Sequence, residues 1–450
     1  MPAAHPQTSY RYRQINHIMK TYTRIVSYLN YFLFLTLLVS LFLPLNFVRW
    51  CWLLWAATWF LEGRWLHREN LRWDKSTRFI VCGFSIWFLW NMLSVAWAGD
   101  RAAAWSAVAR DTSMAGIVLL ALWGVNEHYN MRQCLRVLLF GSIASVGLYM
   151  FTYYWIHNIP LAYEKLASEV HTIDWLHQDG FLLSMKHRMH YTNLLCMACV
   201  GLVLLHTAPL KENNSQVPRL LQWCGIIAAT GVLLWGIYLS GSRTAVISLL
   251  LIGAFSIWWF FIRPRSKTVR ILGTVGLVIV LVGGSVVGMR FHPRNAQVPI
   301  SEWTKVDAEA ARPAFEPRFA IWEVATQNPS DYILYGVGAG NATDYMTSQY
   351  EKYGWQDYVS RQYSPHNQFL TICIELGVMA LVLLVLLWGG LPFVFQGTTQ
   401  YWMTSVVGIY FLDMMTDIPL GGLEGIVFFV AMYIIGSCSP AGLSPDRHEA

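Results

Sequence analysis

The chain has 450 residues, of which 55% are hydrophobic and 13% charged, and its formal net charge is +6. A soluble domain carries about 25% charged residues, so this composition excludes a water-soluble globular protein and points to an all-α integral membrane protein. So small a positive excess, with no basic run interleaved with aromatics, excludes nucleic acid as a partner.

A bilayer core of about 30 Å needs about 20 mostly apolar residues per helix. That template predicts twelve spans, at 26–44, 47–62, 79–98, 105–125, 135–156, 190–207, 220–240, 242–262, 269–289, 366–395, 400–414 and 422–437. The basic start RYRQINHIMKTYTR precedes a run too long for a cleavable signal peptide, so the first span is expected to be retained. With a cytoplasmic N-terminus that side collects eighteen Lys/Arg, against seven on the other face outside its long loop. Positive residues favour the cytoplasm, so both termini are expected inside a bacterial inner membrane, in contact with its lipids. The 22 Trp, 22 Tyr and 23 Phe are expected mainly in interfacial belts.

The expected organisation is an N-terminal bundle of nine spans at 1–289, a large periplasmic loop at 290–365, spans ten to twelve at 366–437, and a cytoplasmic tail at 438–450. Within the loop, Pro317 to Pro329 bounds one short helix with Phe319, Trp322 and Ala325 as its apolar stripe. A glycine-rich turn, YGVGAGNA, follows; it lacks the preceding strand and spacing of a dinucleotide fingerprint. Cys196 and Cys199 form a CxxC inside an apolar run, with no second pair to complete a zinc site. They read as small buried hydrophobes. No metal site and no cofactor are expected.

The chemistry-bearing residues gather at the outer ends of spans. Ser242 is a plausible N-cap that places Arg243 in the first turn of span eight, and Pro317 places Arg318 in the first turn of the loop helix. A cation at the positive end of a helix dipole is unfavourable unless an anion binds between them, so each position suits a phosphate. His366 follows Ser364 and Pro365, read as N-cap and N1, so it too falls in a first turn. The dipole there favours a neutral imidazole, able to accept a proton from an attacking hydroxyl. Asp413 and Asp417 stand at i and i+4, on one face of span eleven if the helix reaches both. His187, Arg188 and His190 lead into span six and are further candidates for holding a phosphate. The interiors of the spans read as free of charge, whereas a transporter favours charges and broken helices near mid-bilayer.

The segments LSGSRTAVISLLL, EPRFAIWEVATQNPSDYILYGVGAGN and SPHNQFLTICIELGVMALVLLVL, in that order, resemble the O-antigen ligase and polymerase superfamily over about residues 185–440. The resemblance implies a GT-C-like glycosyltransferase architecture, with Arg243 and Arg318 gripping the pyrophosphate of an undecaprenyl-linked glycan and His366 activating the acceptor. An acidic residue beyond the HN pair, Asp413 or Asp417, is implied as a further participant. The ligase branch, which joins O-antigen to the lipid A–core oligosaccharide, resembles the chain best in length, span number and loop position. The polymerase branch is the alternative within the superfamily, and a transporter of lipid-linked glycans the alternative outside it.

Overall fold

The computed structural model describes residues 6–158, 188–207, 218–240, 242–291, 306–307, 312–313 and 317–438. A helix stands at each of the twelve expected spans: α1 Pro6–Ser40, α2 Leu45–Leu61, α3 Lys75–Ser94, α4 Arg101–Trp123, α5 Met131–Asn158, α6 Arg188–His206, α7 Arg219–Leu239, α8 Arg243–Ile257, α9 Lys267–Phe291, α13 Gln368–Gly390, α14 Gly397–Thr416 and α15 Leu423–Ser437. Between α9 and α13 the described residues form three short helices, α10 Pro317–Thr326, α11 Ala342–Lys352 and α12 Gln356–Arg361. A two-residue antiparallel pairing joins Val306–Asp307 to Arg312–Pro313. Among the described residues, seven helices are long and apolar enough to cross a membrane.

Burial sorts these helices into two kinds. In α15 every residue from Gly425 to Gly436 is buried, and α6 is nearly as enclosed. In α9 the stretch Lys267–Gly284 has no buried residue, although it is strongly apolar. A helix apolar all round is at home either in a core or in lipid; α15 is the first case, packed against α2, α4, α5 and α14, and α9 the second. Not all aromatics are interfacial as expected: Trp402, Tyr191, Tyr401 and Tyr410 are fully buried in the bundle.

The expected uninterrupted span ten is corrected. Gly377 in α13 has φ 80° and ψ 176°, which breaks the helix. A break strands backbone groups that membrane lipid cannot satisfy, and here neighbouring chain takes them up. Val337 N donates to Ile374 O (2.8 Å), Gly338 N to Glu375 O (2.9 Å), and Val378 N to Ile333 O (2.8 Å). Trp90 Nε1 of α3 donates to Leu376 O at 2.9 Å. The glycine-rich turn is therefore a wedge seated on the break. A Cβ on Gly336, which has φ 73°, would stand 2.2 Å from the Glu375 backbone, so only glycine fits. Asn341 fixes the far side of the wedge, accepting from Asp100 N at 2.8 Å and donating to Asp100 O at 3.2 Å.

The loop helices make a small core of their own. Ile321, Val324 and Ala325 of α10, Met346 and Tyr350 of α11 and Tyr358 of α12 are buried together with Cys373 and Ile374 of α13. The face of α10 turned inward is thus Ile321, Val324 and Ala325, rather than the predicted stripe through Phe319 and Trp322, both only half-buried. Helices α11 and α12 were not expected, because their few apolar residues sit among Asp, Thr, Gln and Ser.

Candidate functional site

The site forms where the N-termini of α6, α8, α10 and α13 meet the C-terminal turn of α14. At α8, Ser242 caps the helix as expected, accepting from Ala245 N at 3.2 Å, and Arg243 occupies the first turn. The neighbouring Thr244 Oγ1 lies 3.2 Å from Thr416 Oγ1, which ties this turn to the last turn of α14. Pro317 opens α10, so Arg318 lies in its first turn as expected. One turn later on the same face, Trp322 Nε1 donates to Pro365 O at 2.9 Å, which holds α10 against the segment leading to His366. The Arg318 guanidinium is within electrostatic reach of Asp413.

His366 is not in a first helical turn. The N-cap of α13 is Asn367, whose side chain accepts from Leu370 N at 3.0 Å, so Ser364 and Pro365 cap nothing. His366 precedes the cap with φ 47°, in the left-handed region. Asn, Asp and His enter that region more readily than other side chains, yet holding one there costs on the order of 1–3 kcal/mol. The dipole argument for a neutral imidazole does not apply at this position. Two clasps hold the imidazole over the end of α14: Asn367 Nδ2 donates to Met415 O (3.1 Å) and Leu420 N donates to Gln368 Oε1 (2.9 Å). His366 Nδ1 then stands 3.7 Å from Asp417 Oδ1.

Asp413 and Asp417 do not share a helical face. α14 ends at Thr416, and Asp417 is its extended C-cap, with its N–H on Asp413 O at 2.8 Å. The two carboxylates consequently part company. Asp417 turns to His366, whereas Asp413 is fully buried and takes the Asn193 amide of α6 at 2.7 Å. Two acids at a helix C-terminus oppose the dipole, and Arg318 supplies positive charge beside them.

His190 lies near the start of α15, its Cε1 3.1 Å from where a Cβ on Gly425 would stand. His187 lies outside the described residues, as does the side chain of Arg188. Among the described residues no group of three or more His, Cys, Asp and Glu is arranged to hold a metal. Cys196 and Cys199 are free thiols in the bundle.

His366 and Asp417 stand on the wall of a cavity of about 310 Å³ that runs inward between α3, α4, α13 and the wedge. Its deeper lining corrects the expectation of uncharged span interiors, because Arg110 and Asp111 of α4 and Glu375 of α13 all face it. Arg110 Nε lies 3.7 Å from Asp111 Oδ1, an ion pair too long for a hydrogen bond. The Glu375 carboxylate lies beside the backbone of Gly340 and Ala342 and within electrostatic reach of Arg110. Two donors on this lining, Arg110 Nε and Trp87 Nε1, are buried with no hydrogen-bond partner. Leaving a buried donor unpaired costs about 1–3 kcal/mol. These residues carried a sequence signal that went unread, since an ionisable side chain within a predicted span is itself a pointer to function.

Residues 228–385 carry an O-antigen ligase family domain. The matched stretch, 158 of the 450 residues, runs from α7 into α13 and takes in Arg243, Arg318, His366 and Glu375. It supports assignment to the O-antigen ligase and polymerase superfamily, whose members have activity of the ligase or polymerase type. No curated protein matched the chain in a search of such proteins.

Proposed function

We propose that the protein is an O-antigen ligase, which moves a glycan from undecaprenyl pyrophosphate to the lipid A–core oligosaccharide at the periplasmic face of the inner membrane. The observation that carries this reading is the placement of His366 against Asp417 at 3.7 Å on a cavity wall. The first turns bearing Arg243 and Arg318 are tied to the same corner of the bundle.

In this mechanism Arg243 and Arg318 bind the donor diphosphate, because a planar guanidinium matches phosphate oxygens in pairs. Asp417 faces Nδ1 of His366, which leaves Nε2 to meet the acceptor. The acceptor hydroxyl loses its proton to Nε2 as its oxygen bonds to the anomeric carbon of the donor. The bond from that carbon to the diphosphate breaks, and the electron pair leaves with undecaprenyl pyrophosphate. One displacement inverts the anomeric centre. The arginines stabilise the charge that grows on the departing diphosphate, where preorganised donors contribute most, so the scheme requires no metal or cofactor. His190 borders the same corner and is assigned to donor contact, together with His187 and Arg188 of the same segment. Asp413, held by Asn193, balances Arg318.

The test is reconstitution in proteoliposomes with undecaprenyl pyrophosphate-linked glycan and rough lipopolysaccharide, that is, lipid A–core without distal glycan. Glycan joined to lipid A–core with inverted configuration is the expected product. A ladder of lengthened carrier-linked chains would assign the polymerase reaction instead, and an unconsumed carrier-linked glycan moved across the bilayer would assign transport.

A further inference from the structure

The cavity behind His366 is more elaborate than general-base chemistry needs. Its volume of about 310 Å³ falls at the lower end of the range for small-molecule sites, which suits a sugar unit rather than a long glycan. Its lining brings two carboxylates, Asp111 and Glu375, to one guanidinium, Arg110, beside the indole of Trp87 and the amide of Asn91. Two carboxylates repel a phosphate but accept hydrogen bonds from hydroxyl groups. Glu375 lies beside the backbone of Gly340 and Ala342, which gives its carboxylate a polar setting on the cavity wall. Trp87 is 5% exposed, and its Nε1 and Arg110 Nε are donors without partners. The Arg110 side chain as a whole is 33% exposed, so a polyol in the cavity can accept from its guanidinium while donating to the carboxylates.

We propose that this cavity is the acceptor-sugar subsite, in which Trp87, Arg110 and Glu375 hold the ring that presents its hydroxyl to His366. The assignment rests on the transferase reading above for the direction of that hydroxyl. The sugar stands between the charged interior and the rim, with the donor diphosphate outside it at the arginines. Trp87, Arg110 and Glu375 would then set which acceptor sugar is used, and Asp111 orients Arg110.

Trp87→Phe and Glu375→Gln separate this role from a structural one. Trp87→Phe keeps a ring and deletes an unpartnered N–H, so the melting midpoint should hold or rise. Glu375→Gln keeps the size of the side chain and one carbonyl oxygen while removing the charge. The first measurement is equilibrium binding of rough lipopolysaccharide alone, and of undecaprenyl pyrophosphate-linked glycan alone, to each protein in nanodiscs. Trp87→Phe should weaken binding of the lipopolysaccharide about 3- to 10-fold, and Glu375→Gln about tenfold or more. Affinity for the carrier-linked glycan should stay within about twofold in both. In proteoliposome transfer assays the KM for lipopolysaccharide should follow the binding loss. Equal lipopolysaccharide affinity across the three proteins, or a loss confined to the carrier-linked glycan, would overturn the assignment. If binding responds as stated while the wild-type protein transfers nothing, the transferase reading fails and the sugar site stands.

Discussion

At the rim of the cavity, contacts from neighbouring segments place the side chains: Asn367 clasps Met415 O at 3.1 Å, Gln368 Oε1 accepts from Leu420 N at 2.9 Å, and His366 faces Asp417 at 3.7 Å. Nine residues beyond His366, Glu375 lies beside the wedge while Arg110 Nε and Trp87 Nε1 have no hydrogen-bond partner. The difference separates two kinds of preorganisation. The rim fixes side chains by contacts within the protein, which suits groups that act on a bond in one geometry. The interior holds donors in reserve, which suits a pocket completed by a ligand.

That contrast breaks most readily at His366. General-base help is worth about 10²–10⁴-fold, so His366→Ala should lose turnover on that scale while carrier-linked glycan still binds. Near-wild-type turnover in proteoliposomes would remove the base assignment and leave the rim without its central group. Arg318→Lys comes next, with a loss of about 10- to 100-fold in kcat/KM if paired guanidinium contacts matter; retained activity would reduce the arginine to a simple positive charge. Asp417→Asn should lower kcat on the order of tenfold with donor affinity unchanged, since only the orientation of His366 is disturbed across a 3.7 Å contact. An equal loss of donor binding would move Asp417 into the diphosphate site. The smallest effect is expected at Cys199→Ala, where activity should stay within about twofold because the thiol is a packing group. A zinc-dependent loss there would contradict the reading of that pair.

Legibility differed between the two regions for a physical reason. Arg243 and Arg318 were readable because a serine cap and a proline at N1 are local signals, and both helices begin where those residues place them. His366 was found, but its setting was not, because Ser-Pro offered a plausible cap two residues before the one used, Asn367. The acidic pair was misplaced because the end of α14 depends on what packs against it. Asp417 leaves the helix to face His366. In the interior, Arg110, Asp111 and Glu375 were each visible within predicted spans. Their convergence was not, since α4 and α13 are more than 240 residues apart in sequence.

The amino-acid sequence by itself determined the twelve helices, the first-turn positions of the two arginines and the superfamily, because hydropathy, helix caps and short ordered motifs act over a few residues. Only the tertiary structure decided that α13 breaks at Gly377 under a glycine wedge, that His366 meets Asp417, and that a charged cavity opens behind them. Each of those outcomes requires the backbone or side chains of one segment to satisfy groups stranded on another. No local propensity specifies which distant segment will do so.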